Sequence, residues 1–286
     1  LVPYYYKLDG VEQDETPTSD QRAALVEAHF IAFVGKKDLE QKVMDSFDRS
    51  GKRLEHMFVR PDALLNALTT EEDTDKGCAI VDFGAQTTTL TVYKGNQYLY
   101  NKVIPYGGYD ITRDVEQIGI SMAYAEQLKC KYGWASAEMV EMNHRFRVPS
   151  VLSPQGEVAI MAQELAEIIG NRLNQILTPI LEELNKEPHR YGVVYVTGGG
   201  AMLQGLVPYM QSKTSIPVMY GSHAGWLTSD TPDEMCMPQY ASLVGTLLLG
   251  ASYRAKHPTV QPERGKRIID ILAEKTVDLF TDQTGY

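Results

Sequence analysis

Two short apolar runs constrain this chain most. Cys78-Ala79-Ile80-Val81 carries no polar side chain and ends in the acid Asp82. Val193–Val196 is a second such run, and Thr197-Gly198-Gly199-Gly200 follows it. Apolar runs of this length between turn residues read as strands buried on both faces. The chain's 286 residues, 43% of them hydrophobic, are ample for a buried core and suggest about two domains. Lys and Arg number 27 against 37 Asp and Glu, a net charge of −10, which argues against nucleic acid as a partner. The longest nearly apolar run, Leu243–Ala251, is far short of the ~20 residues of a membrane span. Leu1–Tyr6 has no basic segment leading into an apolar one, so no leader is expected there. Cys78, Cys130 and Cys236 are odd in number and widely spaced, which reads as reduced thiols without metal-ligand spacing.

The order of elements follows from periodicity and turn residues. Leu1–Leu8 and Ala24–Val34 read as strands, with Asp9–Asp20 an exposed acidic loop between them. Lys36–Ser50 places Leu39, Val43, Met44 and Phe47 at helical spacing and is ended by Gly51. Leu54–Val59 reads as a third short strand, Pro61 opens a helix, and Glu71–Lys76 reads as a charged linker. Cys78–Val81, Leu90–Tyr93 and Gln97–Ile104 then predict an antiparallel meander joined by tight turns. A helix over Asp110–Tyr124 leads into another near Ala125. The longest helix is expected over Ala159–Leu184, with a kink at Pro179, and an apolar helix contains Gly245–Ser252.

Three constellations carry chemistry. The first is Asp82-Phe83-Gly84-Ala85-Gln86-Thr87-Thr88-Thr89, at a strand–turn–strand junction. Glycine lets backbone N–H groups approach a phosphate, hydroxyls donate to it, and an acid at the strand end suits a hydrated magnesium ion. A plain polar hairpin accounts for the same residues. The second is Gly198-Gly199-Gly200, where a flat ring or a phosphate can lie against the backbone; Gly triplets also occur in simple turns. The third is Gly107-Gly108 with Asp110 and Thr112, followed by Glu126 and Lys129. Helix caps and a solvated i,i+3 pair are the structural reading, and ribose contacts the functional one.

Taken together, the order Pro61–Leu65, Asp82–Thr89, Ile104–Thr112, Ala125–Gly133, Val196–Ala201 and Pro238–Gly245 closely resembles the FtsA family of bacterial cell-division proteins. That family lies within the actin, sugar-kinase and chaperone-ATPase superfamily. The resemblance implies an α/β fold, an actin-like (ribonuclease H-like) second half preceded by a small α+β inserted domain. Residues 1–53 would be that inserted domain and 54–76 a connecting helix and linker. Residues 77–110 with 191–258 would form the core, 111–190 an outer helical subdomain, and 259–286 a tail. The resemblance further implies ATP with Mg2+ as cofactor, polymerisation into actin-like filaments, and linkage of FtsZ to the inner membrane at the septum. Carried over by position, Asp82, Gly84, Gln86, Thr87 and Thr88 match the second phosphate loop, Asp82 serving the metal. Gly107 and Gly108 match the glycines after the third strand, Glu126 and Lys129 the ribose contacts, and Gly198, Gly199 and Gly200 the adenosine loop. An acidic FtsZ tail would favour Arg145, Arg147, Arg172 and Arg190 on the outer subdomain.

The chain departs from the family pattern in three places. Ala85 and Gln86 stand where glycines are usual, and Thr89 replaces an acid. The first phosphate loop would lie before Leu1, so the chain by itself is expected to bind ATP weakly. Arg267–Phe280 has Ile268, Ile271, Leu272 and Leu279 at helical spacing, but its polar face mixes Asp270, Glu274 and Asp278 with Arg267 and Lys275. Membrane-surface helices usually present a basic face. Alternatives of the same fold are a PilM-like pilus-assembly ATPase, suggested by Gly84-Ala85-Gln86, and a scaffold without ATP turnover. A metabolic kinase would need a catalytic base that no motif places.

Overall fold

The amino-terminal strands are rich in aromatic and β-branched residues, which favour extended, paired backbone. In the computed structural model, which describes residues 2–13, 17–18, 20–34, 37–95, 97–150 and 152–256, β1 (Val2–Leu8) lies between β2 (Val11–Gln13) and β3 (Val26–Ile31), antiparallel to both. The β1–β2 turn is Asp9-Gly10, at φ +50° and +82°, the left-handed pair that a two-residue hairpin requires. It shortens the loop expected over Asp9–Asp20. Helix α1 (Lys37–Arg49) forms as its periodicity predicts. Leu54–Val59 is not a strand. Its residues favour extended backbone, but the segment forms no strand and runs directly into α2 (Arg60–Leu68). The charged stretch expected as a linker is a helix, α3 (Glu71–Lys76). Thr70 caps it, its hydroxyl accepting from the Asp73 N–H while the Asp73 carboxylate accepts from the Thr70 N–H.

The first apolar run becomes β4 (Cys78–Phe83), buried at every residue. The meander follows as expected, with β5 (Thr88–Lys94) and β6 (Gln97–Ile104) antiparallel. The two helices expected here form, but the first, α4 (Gly108–Glu116), ends before Tyr124 and the second, α5 (Met122–Tyr132), begins ahead of Ala125. Gly119, at φ +94°, breaks the run, and the Ser121 hydroxyl caps the second helix. A two-stranded ribbon, β7 (Arg145–Pro149) with β8 (Glu157–Met161), takes residues assigned from sequence to the start of the long helix. That helix, α6 (Ala162–Lys186), runs through Pro179 without interruption. Leu165, Ile169, Leu173, Ile176, Leu177, Ile180 and Leu184 lie fully buried along it. Each contributes roughly 1.5–3 kcal/mol of burial, so α6 anchors the core.

The second apolar run is β9 (Val193–Thr197), followed by α7 (Leu206–Gln211), β10 (Val218–Tyr220) and α8 (Ala241–Lys256). Strand β9 pairs parallel to β4, Cys78 beside Val193 and Asp82 beside Thr197, and β10 extends the sheet in parallel. The five-stranded order is β10-β9-β4-β5-β6. Parallel register sends both Gly-containing turns, after Phe83 and after Thr197, out of the same sheet end. The chain divides into two units, Leu1–Leu248 and Leu249–Tyr286. Only residues 249–256 of the second are described, so Arg267–Phe280 lies outside the described residues.

Candidate functional site

At that sheet end the turn after β4 is closed by its own backbone. The Gly84 N–H donates to the Thr87 carbonyl at 2.9 Å. The start of α4 then docks on it, Gly108 N–H to Gly84 O at 3.0 Å and Tyr109 N–H to Ala85 O at 2.7 Å. Gly107 permits that approach, since a Cβ there would sit 2.5 Å from the Gly84 oxygen. From the opposite side, Gly200 lies so close to Phe83 that a Cβ would fall 2.4 Å from its ring. Between these turns and α5 opens a cavity of about 670 Å3. That is the size of a cofactor pocket. Glu126 and Lys129 from α5 form its polar wall; Phe83, Ile111, Met122 and Leu203 supply the apolar surface.

The polar wall is tightly wired. The Lys129 ammonium donates to Gly108 O (2.9 Å), Thr112 Oγ1 (2.9 Å) and Glu126 Oε2 (2.7 Å), which uses all three of its donors. The Thr112 hydroxyl in turn donates to the Glu126 carboxylate. Burial raises the Glu126 pKa, but hydrogen bonds from Lys129 and Thr112 outweigh it and hold the carboxyl below its usual range. Glu126 therefore stands ionised, half exposed, with acceptor capacity facing the cavity. Lys129 has no free donor; it ties the Gly107–Gly108 turn to Glu126.

Of the residues singled out from sequence, Gly84, Gly108, Glu126, Lys129, Gly199 and Gly200 meet around this cavity. Asp82 and Gly198 line a smaller neighbouring pocket of about 100 Å3, together with Arg60 and Ser242. Gly84, Gly199 and Gln239 border both. Three threonine-turn expectations do not fit this arrangement. Gln86 and Thr87 are exposed and outside the lining, and Thr88 is buried with its hydroxyl donating to Tyr106 O at 2.9 Å. That hydrogen bond ties the start of β5 to the chain just after β6. Asp82, expected to serve magnesium, accepts from Arg60 Nη1 at 2.9 Å. Among the described residues, no group of three His, Cys, Asp or Glu side chains could hold a metal ion. Met122, Met202 and Leu203 also line the cavity and were not singled out from sequence, because apolar lining side chains carry no motif.

The four arginines are dispersed in role. Arg172 is bound to Asp114, Arg190 pairs with Glu187, and Arg147 pairs across the ribbon with Glu157. Arg145 is exposed on the same ribbon strand. No helix among the described residues is long and apolar enough to cross a membrane.

A mixed sheet of this order, with two glycine turns and a cofactor-sized cavity at one end, defines an actin-like fold. Solved structures agree on the fold. MreB5 of Spiroplasma citri bound to ADP superposes with a TM-score of 0.60 at 18% identity, over 79% of this chain and 69% of that one. A chain of the PilM-PilN type IV pilus biogenesis complex gives 0.59 at 19% identity, over 82% and 64%. The family model described as cell division protein FtsA matches residues 79–245, and the chain belongs to that family. The FtsA of Neisseria meningitidis serogroup B is 29% identical over 239 residues, 81% of this chain and 56% of the relative. That of Escherichia coli K12 is 26% identical over 280 residues, 94% and 65%. The chain thus spans 56% to 65% of the length of these relatives.

Proposed function

We propose that the cavity binds an adenine nucleotide and that the chain serves an FtsA-type cell-division protein. The observation that carries this is the convergence of Gly84, Gly108, Glu126 and Gly199–Gly200 on one cofactor-sized cavity. In this reading the base lies on Gly199–Gly200 between Met202 and Ile111, and the Glu126 carboxylate accepts from the ribose hydroxyls. The phosphates face the Gly84 and Gly108 turns. Magnesium would enter on the nucleotide, and Asp82 would have to release Arg60 to meet its water shell. The core would comprise 77–110 with 191–258 and the outer subdomain 111–190. Polymerisation into filaments, docking of an FtsZ tail and tethering to the inner membrane at the septum belong to the same proposal, supported by family membership. Thr88, committed to Tyr106, and the exposed Thr87 favour a scaffold that turns nucleotide over slowly or not at all.

The test is a titration of the chain with Mg-ADP, followed by backbone NMR. Shifts at Gly84, Gly108, Glu126, Gly199 and Gly200, saturating well above micromolar concentration, are expected. No shift at millimolar nucleotide, or shifts confined to other surfaces, would refute the reading.

A further inference from the structure

Arg172 lies outside the cavity lining, yet it holds the segment that forms one wall. Its Nε donates to Asp114 Oδ2 at 2.7 Å and its Nη2 to Asp114 Oδ1 at 2.8 Å, a two-pronged pair. Nη1 donates to Gln175 Oε1 at 2.8 Å, within α6. The guanidinium carbon also sits 5.9 Å from the centre of the Tyr106 ring. Asp114 is on α4, whose first turns give Gly108, Tyr109, Ile111 and Thr112 to the cavity. Tyr106 immediately precedes the glycine pair, and its carbonyl receives the Thr88 hydroxyl. One guanidinium therefore grips both ends of the segment that presents Gly107 and Gly108.

We propose that Arg172 is a positioning residue for the cavity. Its base is rigid, because Leu173 and Ile176 beside it on α6 are fully buried. The planar fork fixes the angle of Asp114 as well as its distance, which a lysine ammonium cannot do. Through Asp114 and Tyr106 it holds the Gly108 and Tyr109 amides against Gly84 and Ala85. The effect on nucleotide binding rests on the function proposed above; the effect on the turn does not.

Amide hydrogen exchange separates the two. In Arg172→Lys, the Gly108 and Tyr109 amides should exchange about tenfold faster, while Ile80 and Val194 at the sheet centre keep their protection. Asp114→Asn should give the same pattern, and the double variant should add little to either single one. The shifts induced by Mg-ADP at Gly84 and Gly199 should then need a higher nucleotide concentration. Unchanged protection at Gly108 and Tyr109 in both Arg172→Lys and Arg172→Gln would overturn the proposal. So would equal acceleration at Ile80, which marks general destabilisation, or a faster-exchanging turn with unchanged nucleotide affinity. If the unsubstituted chain binds no nucleotide, the functional reading fails while the exchange result still decides whether Arg172 positions the turn.

Discussion

Glu126 concentrates the chemistry of the polar wall in one carboxylate. Its neighbours favour the charged form over burial, so its folded pKa lies below the ordinary 4.5. A depressed carboxylate stabilises the fold fully above its unfolded value, and that contribution is lost as pH falls through the folded one. Below pH 4.5 the unfolded chain binds the proton first, so stability must drop there. Urea unfolding from pH 6 downward should therefore show a shallower acid loss in Glu126→Gln than in the unsubstituted chain. Because the side chain is half exposed, the difference is modest, and equal slopes would remove Glu126 from the acid limb. At this scale the sequence was informative where a residue type has few structural uses. Three glycines after a strand end read as a seat for a ring or a phosphate; in the fold, Gly198 and Gly200 face the chain's own Asp82 and Phe83 at distances that no Cβ allows. Threonines were less informative, since a hydroxyl serves a carbonyl as readily as a phosphate, and Thr88 serves Tyr106.

Among the elements, those whose signal is burial were legible: β4, β9 and the apolar stripe of α6 all stand where their side chains require. Elements defined by pairing were not. The ribbon of β7 and β8 mixes Arg145 and Arg147 with Phe146 and Val148, and only the register that sets Arg147 opposite Ala159 makes it a sheet. Leu54–Val59 has strand-like residues, yet it runs into α2 without forming a strand. Helix α3 looked like a linker because its surface is wholly charged, although Thr70 and Asp73 at capping-box spacing announce it. Close packing between elements was equally hidden. Gly245 in α8 meets α2 so tightly that a Cβ would lie 1.8 Å from the Ala63 carbonyl oxygen. A Cβ at Gly250, on the same helix, would meet nothing within 4 Å among the described residues beyond the helix's own backbone. The same substitution should thus have opposite signs. Gly245→Ala should destabilise by about 2–3 kcal/mol, through backbone displacement between α2 and α8. Gly250→Ala should stabilise by up to about 1 kcal/mol through helix propensity. Thermal unfolding of both variants checks this, and a stabilised Gly245→Ala would mean that the two helices do not meet as described.

For the whole molecule, the parallel pairing of β4 with β9 joins strands far apart in sequence, and neither run alone could announce it. Charge is the one global property that the sequence states outright, and it bears on how such a protein could meet a membrane. The chain carries a net −10, whereas residues 264–286 are balanced, with Arg264, Lys266, Arg267 and Lys275 against Asp270, Glu274, Asp278 and Asp282. A tether of the usual basic kind gains affinity from anionic lipid and loses it as salt screens that attraction. Here the segment offers the lipid no net attraction, and the rest of the chain is repelled. Any adhesion would come from Ile268, Ile271, Leu272 and Leu279 entering the acyl boundary. Raising salt should then strengthen binding, by screening repulsion and leaving apolar insertion untouched. Flotation with anionic vesicles should rise or hold level from about 0.05 to about 0.5 M salt, several-fold shortening of the Debye length. It should vanish when residues 264–286 are removed. Flotation that falls with salt would place the contact on a local basic patch instead, and flotation unaffected by the truncation would exclude this segment as the anchor.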